Sequence, residues 1–581
     1  MSINRRDFVK LGIAAAVGGR PGLLCGAASQ NEEIFTDRAK ESGIDFVHFN
    51  GMSGAHYYPE MIGSGVALFD YDNDGDLDIF LVQGNMLGPG KELNQAPLPP
   101  RSPLRGRLYR NDSIRHADGS CTLKFTDVTQ ESGIDAHGYG MGVAAADFNN
   151  DGWVDLYITN FGHNQMLRNN GDGTFSDVTS ESGTDVPGWS TSAAFLDYDH
   201  DGWLDLFVCN YLDFRFANQK KCLTAGGADD YCGPLSFDPL SSRLFRNRRD
   251  GTFEDVSASS RIGSESYGAL GVVCADFNCD GWTDIYVAND ERPNLLWINQ
   301  QNGTFKNEAL LAGCALDRNG TPQSSMGVDA GDVLGRGFED LVVTNLTGEY
   351  TDLYSNNGKG WFDDISYESG IAAATRRYTG FGVGLLDYDN DGRLDLLIVN
   401  GGIKSIEEQA RNGSPFPYAQ ANLLLHNTGS GHFEDVSSRA GSTFSLLEVS
   451  RGLAFGDIDN DGDIDAVVLN NSGPARLLIN NLGHRKPWIG FRMVGEKYHR
   501  DMLGTRVGLF RRNAATLWRR VHSDGSYCSS SDPRVLFGLG ESAAVTKVQA
   551  HWVSGRVEEW TSLVIGKYAT LREGSGTTIK N

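Results

Sequence analysis

Short apolar runs alternate with clusters of Gly, Asp and Asn along most of the chain. Runs such as Gly140 to Ala146 and Gly380 to Leu386 precede a polar stretch, and Leu156 to Asn160 and Leu394 to Asn400 follow one. Their β-branched and aromatic content suits half-buried strands. A third strand is predicted at Gln165 to Asn170 and at Arg243 to Asn247. A fourth reads Phe-x-Asp-Val/Ile-Thr/Ser at Phe125, Phe175, Phe253, Phe362 and Phe433, with a weaker copy at Phe305. The pattern predicts units of four short strands. No stretch reaches 18 apolar residues, so no ordinary membrane-spanning helix is expected.

One polar pattern recurs between the first and second strand of each unit: Asp, x, Asp or Asn, x, Asp, Gly, x, x, Asp. It supplies Asp70, Asp72, Asp74 and Asp78 in the first copy, and Asp147, Asn149, Asp151 and Asp155 in the second. Asp197, Asp199, Asp201 and Asp205 make the third, and Asp276, Asn278, Asp280 and Asp284 the fourth. The sixth holds Asp387, Asp389, Asp391 and Asp395, and the seventh Asp457, Asp459, Asp461 and Asp465. The fifth copy, Asp332 to Asp340, is degenerate. Repeats of this length, with four strands each, describe propeller blades. After Arg476 to Asn480 the fourth strand of the last unit is missing. It reappears at the other end of the chain, where Phe35 to Ile44 shares Phe-Thr-Asp and Glu-Ser-Gly-Ile with Phe125 to Ile134. The expected fold is therefore all-β: a seven-bladed β-propeller closed by an N-terminal strand, followed by a small β-rich C-terminal domain. Closing the ring leaves no exposed sheet edge between first and last blades.

Carboxylates at alternate positions, a Gly for a sharp turn and a further Asp suit a hard cation, and Ca²⁺ takes about 6–8 oxygens. Positions one, three and five would supply side-chain oxygens, position seven a backbone carbonyl and position nine a carboxylate. Zn²⁺ would prefer His and Cys, which occur in these loops only as His200 and Cys279, at non-ligand positions. The fifth copy has Leu334 and Arg336 at positions three and five. Leu offers no oxygen and Arg is permanently charged. The expectation is about six Ca²⁺, with the fifth loop empty and Arg336 paired with Asp332, Asp340 or both.

The blades resemble the FG-GAP, or VCBS, repeats of integrin-α-type propellers over residues 32–482. The tail, 485–581, is similar to the ASPIC/UnbV domain in Leu503 to Val507, Ser523 to Tyr527, Arg534 to Gly540 and His551 to Gly555, although Val553 stands where that family usually has Pro. The combination resembles bacterial relatives of cartilage acidic protein. The resemblance implies Ca²⁺ between the first two strands of a blade, and extracellular binding or adhesion more than a defined reaction.

Charge sharpens the division. From Arg485 onward there are 16 Lys plus Arg and 8 Asp plus Glu, so this tail carries +8 while the whole chain carries −24. The asymmetry predicts separate domains with separate surfaces, and the overall acidity argues against a nucleic-acid partner. Arg5-Arg6, an apolar Gly-rich stretch and Gly26-Ala27-Ala28 resemble a twin-arginine export signal over residues 1–28, which implies a periplasmic or secreted protein. Cys222 and Cys232, close together in a Gly- and Asp-rich loop, are expected to form a local disulfide, and Cys274 and Cys279 to be buried thiols.

Other candidate chemistry is weaker. His522, Ser523, Asp524 and Ser526 do not form a relay if they lie on one strand, because neighbours face opposite ways. Glu60 reads as a surface carboxylate or loop acceptor. Trp153, Trp203 and Trp282 favour packing between blades over a sugar-binding rim. The long insertions Gly84 to Arg107, Tyr211 to Ser242 and Gly401 to Gln420 are the natural recognition loops. The leading reading is a calcium-binding scaffold for an unknown protein or glycan ligand. The alternatives are a lectin and a propeller-based polysaccharide lyase or hydrolase.

Overall fold

The computed structural model describes residues 33–579 apart from 99, 101–102, 117–119, 225 and 542–543. The expected export segment lies outside these residues. Among the described residues, strands pair antiparallel into seven four-stranded units. Their innermost strands are Val66–Phe69, Tyr139–Ala146, Gly188–Leu196, Ala269–Ala275, Val328–Gly331, Gly380–Leu386 and Ser450–Gly456. These touch in chain order, and Ser450–Gly456 touches Val66–Phe69, so the units form a ring around a channel. The seventh unit is completed by Phe35–Asp37, with Phe35 opposite Asn480 and Asp37 opposite Leu478. The second and third units also share an edge, where Gly188 and Trp189 pair with Gly162 and Phe161.

Each sheet is covered on both faces by its neighbours, which is why its inner strands read as continuous apolar runs. At the closure, Val66, Leu68, Ile79 and Leu81 share one core with Val467, Leu469 and Leu477. Fully burying each such side chain contributes about 1.5–3 kcal/mol. Crowding around the channel explains the glycines in these runs. A Cβ on Gly327 would lie 2.0 Å from the Phe381 carbonyl oxygen, and one on Gly65 would lie 1.8 Å from that of Cys528.

A recurrent Asn near the end of each third strand staples neighbouring blades. Its amide donates to a carbonyl of the preceding blade: Asn169 to Tyr71 at 2.8 Å, Asn247 to Phe148 at 2.8 Å and Asn299 to Tyr198 at 2.8 Å. Asn356, Asn427 and Asn480 repeat the bond to Phe277, Val333 and Tyr388. Asn111 donates to Ile458 at 3.1 Å and so links the first blade to the last.

The C-terminal region contains a three-stranded sheet (Trp488–Val494, Val535–Gly538, Tyr568–Arg572) and a five-stranded sheet that runs from Arg506–Arg511 to Thr577–Thr578. It packs against the ring. Residues from Glu33 onward form one compact unit. The basic tail lies on the acidic-loop end of the ring, where opposite charge favours docking. Arg500 donates to Asn150 Oδ1 at 2.7 Å and to the Gly202 carbonyl at 3.1 Å, and Arg534 donates to Asn460 Oδ1 at 2.6 Å.

From this domain, residues 523–532 enter the channel. Leu68 donates its N–H to the Ser530 carbonyl at 2.9 Å, Val143 to that of Cys528 at 3.1 Å and Val328 to that of Ser526 at 3.0 Å. Cys274 donates to Asp524 Oδ2 at 2.6 Å, Val383 to Ser526 Oγ at 3.3 Å and Leu453 to Ser529 Oγ at 3.2 Å. Cys528 in turn donates its N–H to Ser192 Oγ at 2.9 Å. All seven innermost strands thus bond to this plug, which satisfies channel-facing backbone groups that burial would otherwise orphan.

The opposite mouth is covered by the N-terminal segment and the insertions. Tyr58, Trp189, Tyr211, Phe237, Phe381 and Tyr418 pack there with Tyr527 of the plug. The disulfide Cys222–Cys232 closes one of the covering loops. Tyr418 donates to Asp230 Oδ1 at 3.0 Å, which ties two insertions together.

Candidate metal centre

Each acidic loop leaves the end of an innermost strand and enters the second strand at its ninth position. The local fold follows from its own side chains. Both oxygens of the first Asp accept backbone N–H groups from positions five and six: Asp70 from Asp74 at 3.1 Å and Gly75 at 3.0 Å. The same pair recurs at Asp147, Asp197, Asp276, Asp387 and Asp457. The turn demands a left-handed position six, where Gly75 has φ 91° and Gly462 has φ 94°. Position five caps position seven, as in Asp74 accepting the Asp76 N–H at 2.9 Å, and Asp151, Asp201, Asp280, Asp391 and Asp461 do likewise. Position nine is buried. Asp78 accepts N–H groups from Tyr71 at 2.9 Å and Asn111 at 2.8 Å, and Asp155, Asp205, Asp284, Asp395 and Asp465 repeat both bonds.

Position three is different. Oδ1 of Asp72, Asp199, Asp389 and Asp459 is buried and accepts no hydrogen bond. Asn149 and Asn278 at the same position donate instead to Asp151 and Asp280, at 2.8 and 3.1 Å. Positions one, three and nine converge: Asp70, Asp72 and Asp78 place one oxygen each within 4.8 Å of one another, as do Asp197, Asp199 and Asp205, and Asp387, Asp389 and Asp395. Burial pushes Asp70, Asp147 and Asp197 up to about 6 and Asp387 up to about 8, and neighbouring carboxylates add to each rise. Converging hard oxygens, an orphaned one among them and a shared reluctance to ionise fit a cation.

The fifth loop keeps the frame and changes the charge. Asp332 still accepts the N–H groups of Arg336 at 2.6 Å and Gly337 at 2.8 Å. The Arg336 guanidinium pairs with Asp340 at 2.9 Å and also donates to Ser355 Oγ and the Asn356 carbonyl, both at 2.8 Å. Of the two acidic partners expected for it, Asp340 is the one engaged.

Several expectations need correction. Cys274 is buried but Cys279 is exposed, because it occupies the left-handed position four (φ 57°) of the fourth loop. Glu60 is not at the surface; it is fully buried with Oε1 unpartnered, and Tyr231 donates to Oε2 at 2.5 Å. Of the three tryptophans, Trp282 joins blades by stacking on His200 at 4.0 Å. Trp203 instead meets Tyr498 of the C-terminal domain, and Trp153 covers Gly171 of its own blade. His522, Ser523, Asp524 and Ser526 lie in and beside the plug rather than on a strand, with Asp524 paired to Arg520 at 3.2 Å. Burial alone would raise Asp524, yet Arg520 and His522 hold it down to about 2.

Comparison with known proteins agrees with this architecture. The FG-GAP-like repeat model matches residues 70–158, 147–208, 229–287, 276–343 and 332–398, and the ASPIC and UnbV model matches 495–578. The chain belongs to the FG-GAP-like repeat family and carries an ASPIC/UnbV domain. It is similar to cartilage acidic protein 1 of Homo sapiens, at 24% identity over 86% of this chain and 70% of that protein. The Xenopus tropicalis counterpart is 22% identical over 86% of this chain and 71% of its own length. Among solved structures, the BP39L lectin of Burkholderia pseudomallei is 10% identical over 73% of this chain and 97% of its own, with a TM-score of 0.38, too loose a likeness to transfer a ligand.

Proposed function

We propose that the protein is an exported scaffold whose six intact loops bind Ca²⁺ and which recognises a protein or glycan ligand outside the cytoplasm. The observation that carries this reading is the orphaned buried oxygen at position three, set among converging carboxylates. Asp70, Asp72, Asp74 and Asp78 with the Asp76 carbonyl would hold the ion in the first loop, and the equivalent residues in the second, third, fourth, sixth and seventh. A bound Ca²⁺ supplies two positive charges and accepts the oxygens that nothing else in the loop engages. The Cys222–Cys232 disulfide supports an oxidising compartment.

The plug fills the channel, so recognition is assigned to the surfaces around it. A cleft of about 690 Å³ where the first two blades meet the C-terminal domain is lined by Trp488, Arg492, Lys567 and Tyr568 of that domain and by Asp70, Arg115 and Asp147 of the blades. Aromatic faces beside charged groups suit a polar ligand with an apolar side. Thermal melts of the full chain in Ca²⁺ and after verified chelation test the calcium reading. At a hundredfold excess over Kd each site contributes about 2.7 kcal/mol, so the melts should separate widely, and coincident melts would refute it.

A further inference from the structure

The seventh loop carries a second cluster that the calcium positions do not account for. Asp463 stands at position seven, where a carbonyl alone is expected to act, and its side chain is fully buried. Its Oδ2 accepts the His484 backbone N–H at 3.0 Å and faces His484 Nδ1 at 2.8 Å. Its Oδ1 is buried and accepts nothing. His484 Nδ1 is also 3.1 Å from Asp461 Oδ2, and Asp461, Asp463 and His484 each place a donor atom within 4.8 Å of the others. The backbone beside them is fixed by close packing: a Cβ on Gly483 would lie 2.6 Å from Asp463 Cβ and 2.9 Å from the Tyr388 carbonyl oxygen. The His484 side chain is 36% exposed, which leaves a path for an ion to enter.

We propose that Asp461, Asp463 and His484 form a binding site for a divalent transition ion of the Zn²⁺ class, beside the calcium position of the seventh loop. Calcium takes oxygen ligands, whereas one imidazole nitrogen with two carboxylates is a donor set suited to Zn²⁺. Donors about 2.0–2.2 Å from a tetrahedral Zn²⁺ lie about 3.4 Å apart. The observed separations of 2.8 and 3.1 Å therefore need to open by only a few tenths of an ångström, within reach of a half-exposed imidazole. Nδ1 would be the ligand and Nε2 would carry the ring proton. The fourth position is left to water or to an incoming ligand group. The sixth loop has the same residue types in Asp389, Asp391 and His426, but there they are engaged. Lys486 Nζ lies 3.0 Å from Asp389 Oδ2, and His426 Nδ1 lies 3.0 Å from Asp395 Oδ1.

The site shares Asp461 and, through its carbonyl, Asp463 with the proposed calcium set, but His484 belongs to this site alone, so the two readings can be tested apart. The full chain, cleared of transition metals and held in excess Ca²⁺, is titrated with Zn²⁺, and bound Zn²⁺ and Ca²⁺ are counted after dialysis. His484→Gln should lose one equivalent of Zn²⁺ with the Ca²⁺ count unchanged, Asp463→Asn should lose the same Zn²⁺ equivalent, and His426→Gln should lose none. His484 is half-exposed, so His484→Gln keeps the test valid even if Asp463→Asn fails to fold. A full Zn²⁺ complement in His484→Gln overturns the proposal, as does an equal loss in His426→Gln. A chain that binds no Ca²⁺ yet still loses one Zn²⁺ equivalent in His484→Gln refutes the calcium reading and upholds this one.

Discussion

The fifth acidic loop and its six counterparts share a backbone frame and differ in how they neutralise it. In all seven the first Asp collects the N–H groups of positions five and six, and the ninth takes that of the third-strand Asn. Four of the six intact loops leave a buried oxygen at position three unpartnered, whereas the fifth has Leu334 there and Arg336 on Asp340. The far mouth of the channel shows a third answer to the same problem. Glu60 is buried with the Tyr231 hydroxyl on its Oε2, and burial pushes its carboxyl up to about 7, so it keeps its proton below neutral pH. Buried carboxylates in this molecule thus have three kinds of surroundings: converging oxygens that suit a metal, a guanidinium, or an apolar cover that favours the protonated form.

The largest expected effect is one the seven blades share. Replacing residues 524–531 by a Gly-Ser linker of equal length should strip partners from every innermost strand. At about 1 kcal/mol per hydrogen bond, the loss rivals the about 5–15 kcal/mol that holds a typical domain together. Denaturant unfolding in saturating Ca²⁺ should show collapse of the cooperative transition, and an unchanged midpoint would mean the plug is incidental.

The proton answer predicts a pH dependence of known sign. The folded state holds the Glu60 proton to about pH 7, while an unfolded Glu releases it near 4.3. This stabilisation is complete below about pH 4.3 and is lost as pH rises through about 7, a span of roughly 3 kcal/mol. Asp290, raised to about 7 by burial, adds in the same direction. Glu60→Gln should therefore lose less stability than the parent between about pH 5 and pH 8. Parallel curves for the two proteins would remove Glu60 from the account.

The guanidinium answer gives a smaller effect. Removing one partner of a fully buried pair costs about 3–5 kcal/mol, but the Arg336 side chain is 39% exposed. Arg336→Ala in excess Ca²⁺ should cost about 1–2 kcal/mol after allowance for solvent screening. Leu334→Asp with Arg336→Asp should convert the loop to the calcium type and add one bound Ca²⁺. A double variant that folds and binds no additional Ca²⁺ would show that more than these two side chains separates the fifth loop from the others.

The repeat, its strands and the closing partner of Phe35 were legible in the sequence because each recurs at a regular spacing and carries its own turn chemistry. The plug was not. Ser523 to Ser526 reads as part of a strand, and the partners of residues 523–532 are scattered from Ile62 to Phe455, so no local pattern announces them. The third-strand Asn residues were visible as a repeat, but a polar residue at a strand end is ordinarily read as a turn. Net charge showed that the two parts of the chain differ in sign without showing that the basic one docks on the acidic loops. Glu60 is an acceptor, as expected, but its burial was not legible, because a lone carboxylate between apolar residues gives no sign of what will cover it, and the cover comes from Tyr231, far along the chain.

The central claim is that six loops are metal sites and the fifth is not. Anomalous diffraction from crystals grown in Ca²⁺ and collected at long wavelength tests it most directly. The account predicts six peaks among the acidic loops, each between positions one, three, five and nine, and none between Asp332 and Asp340. A peak in the fifth loop, or loops without density in a Ca²⁺-saturated crystal, would contradict it.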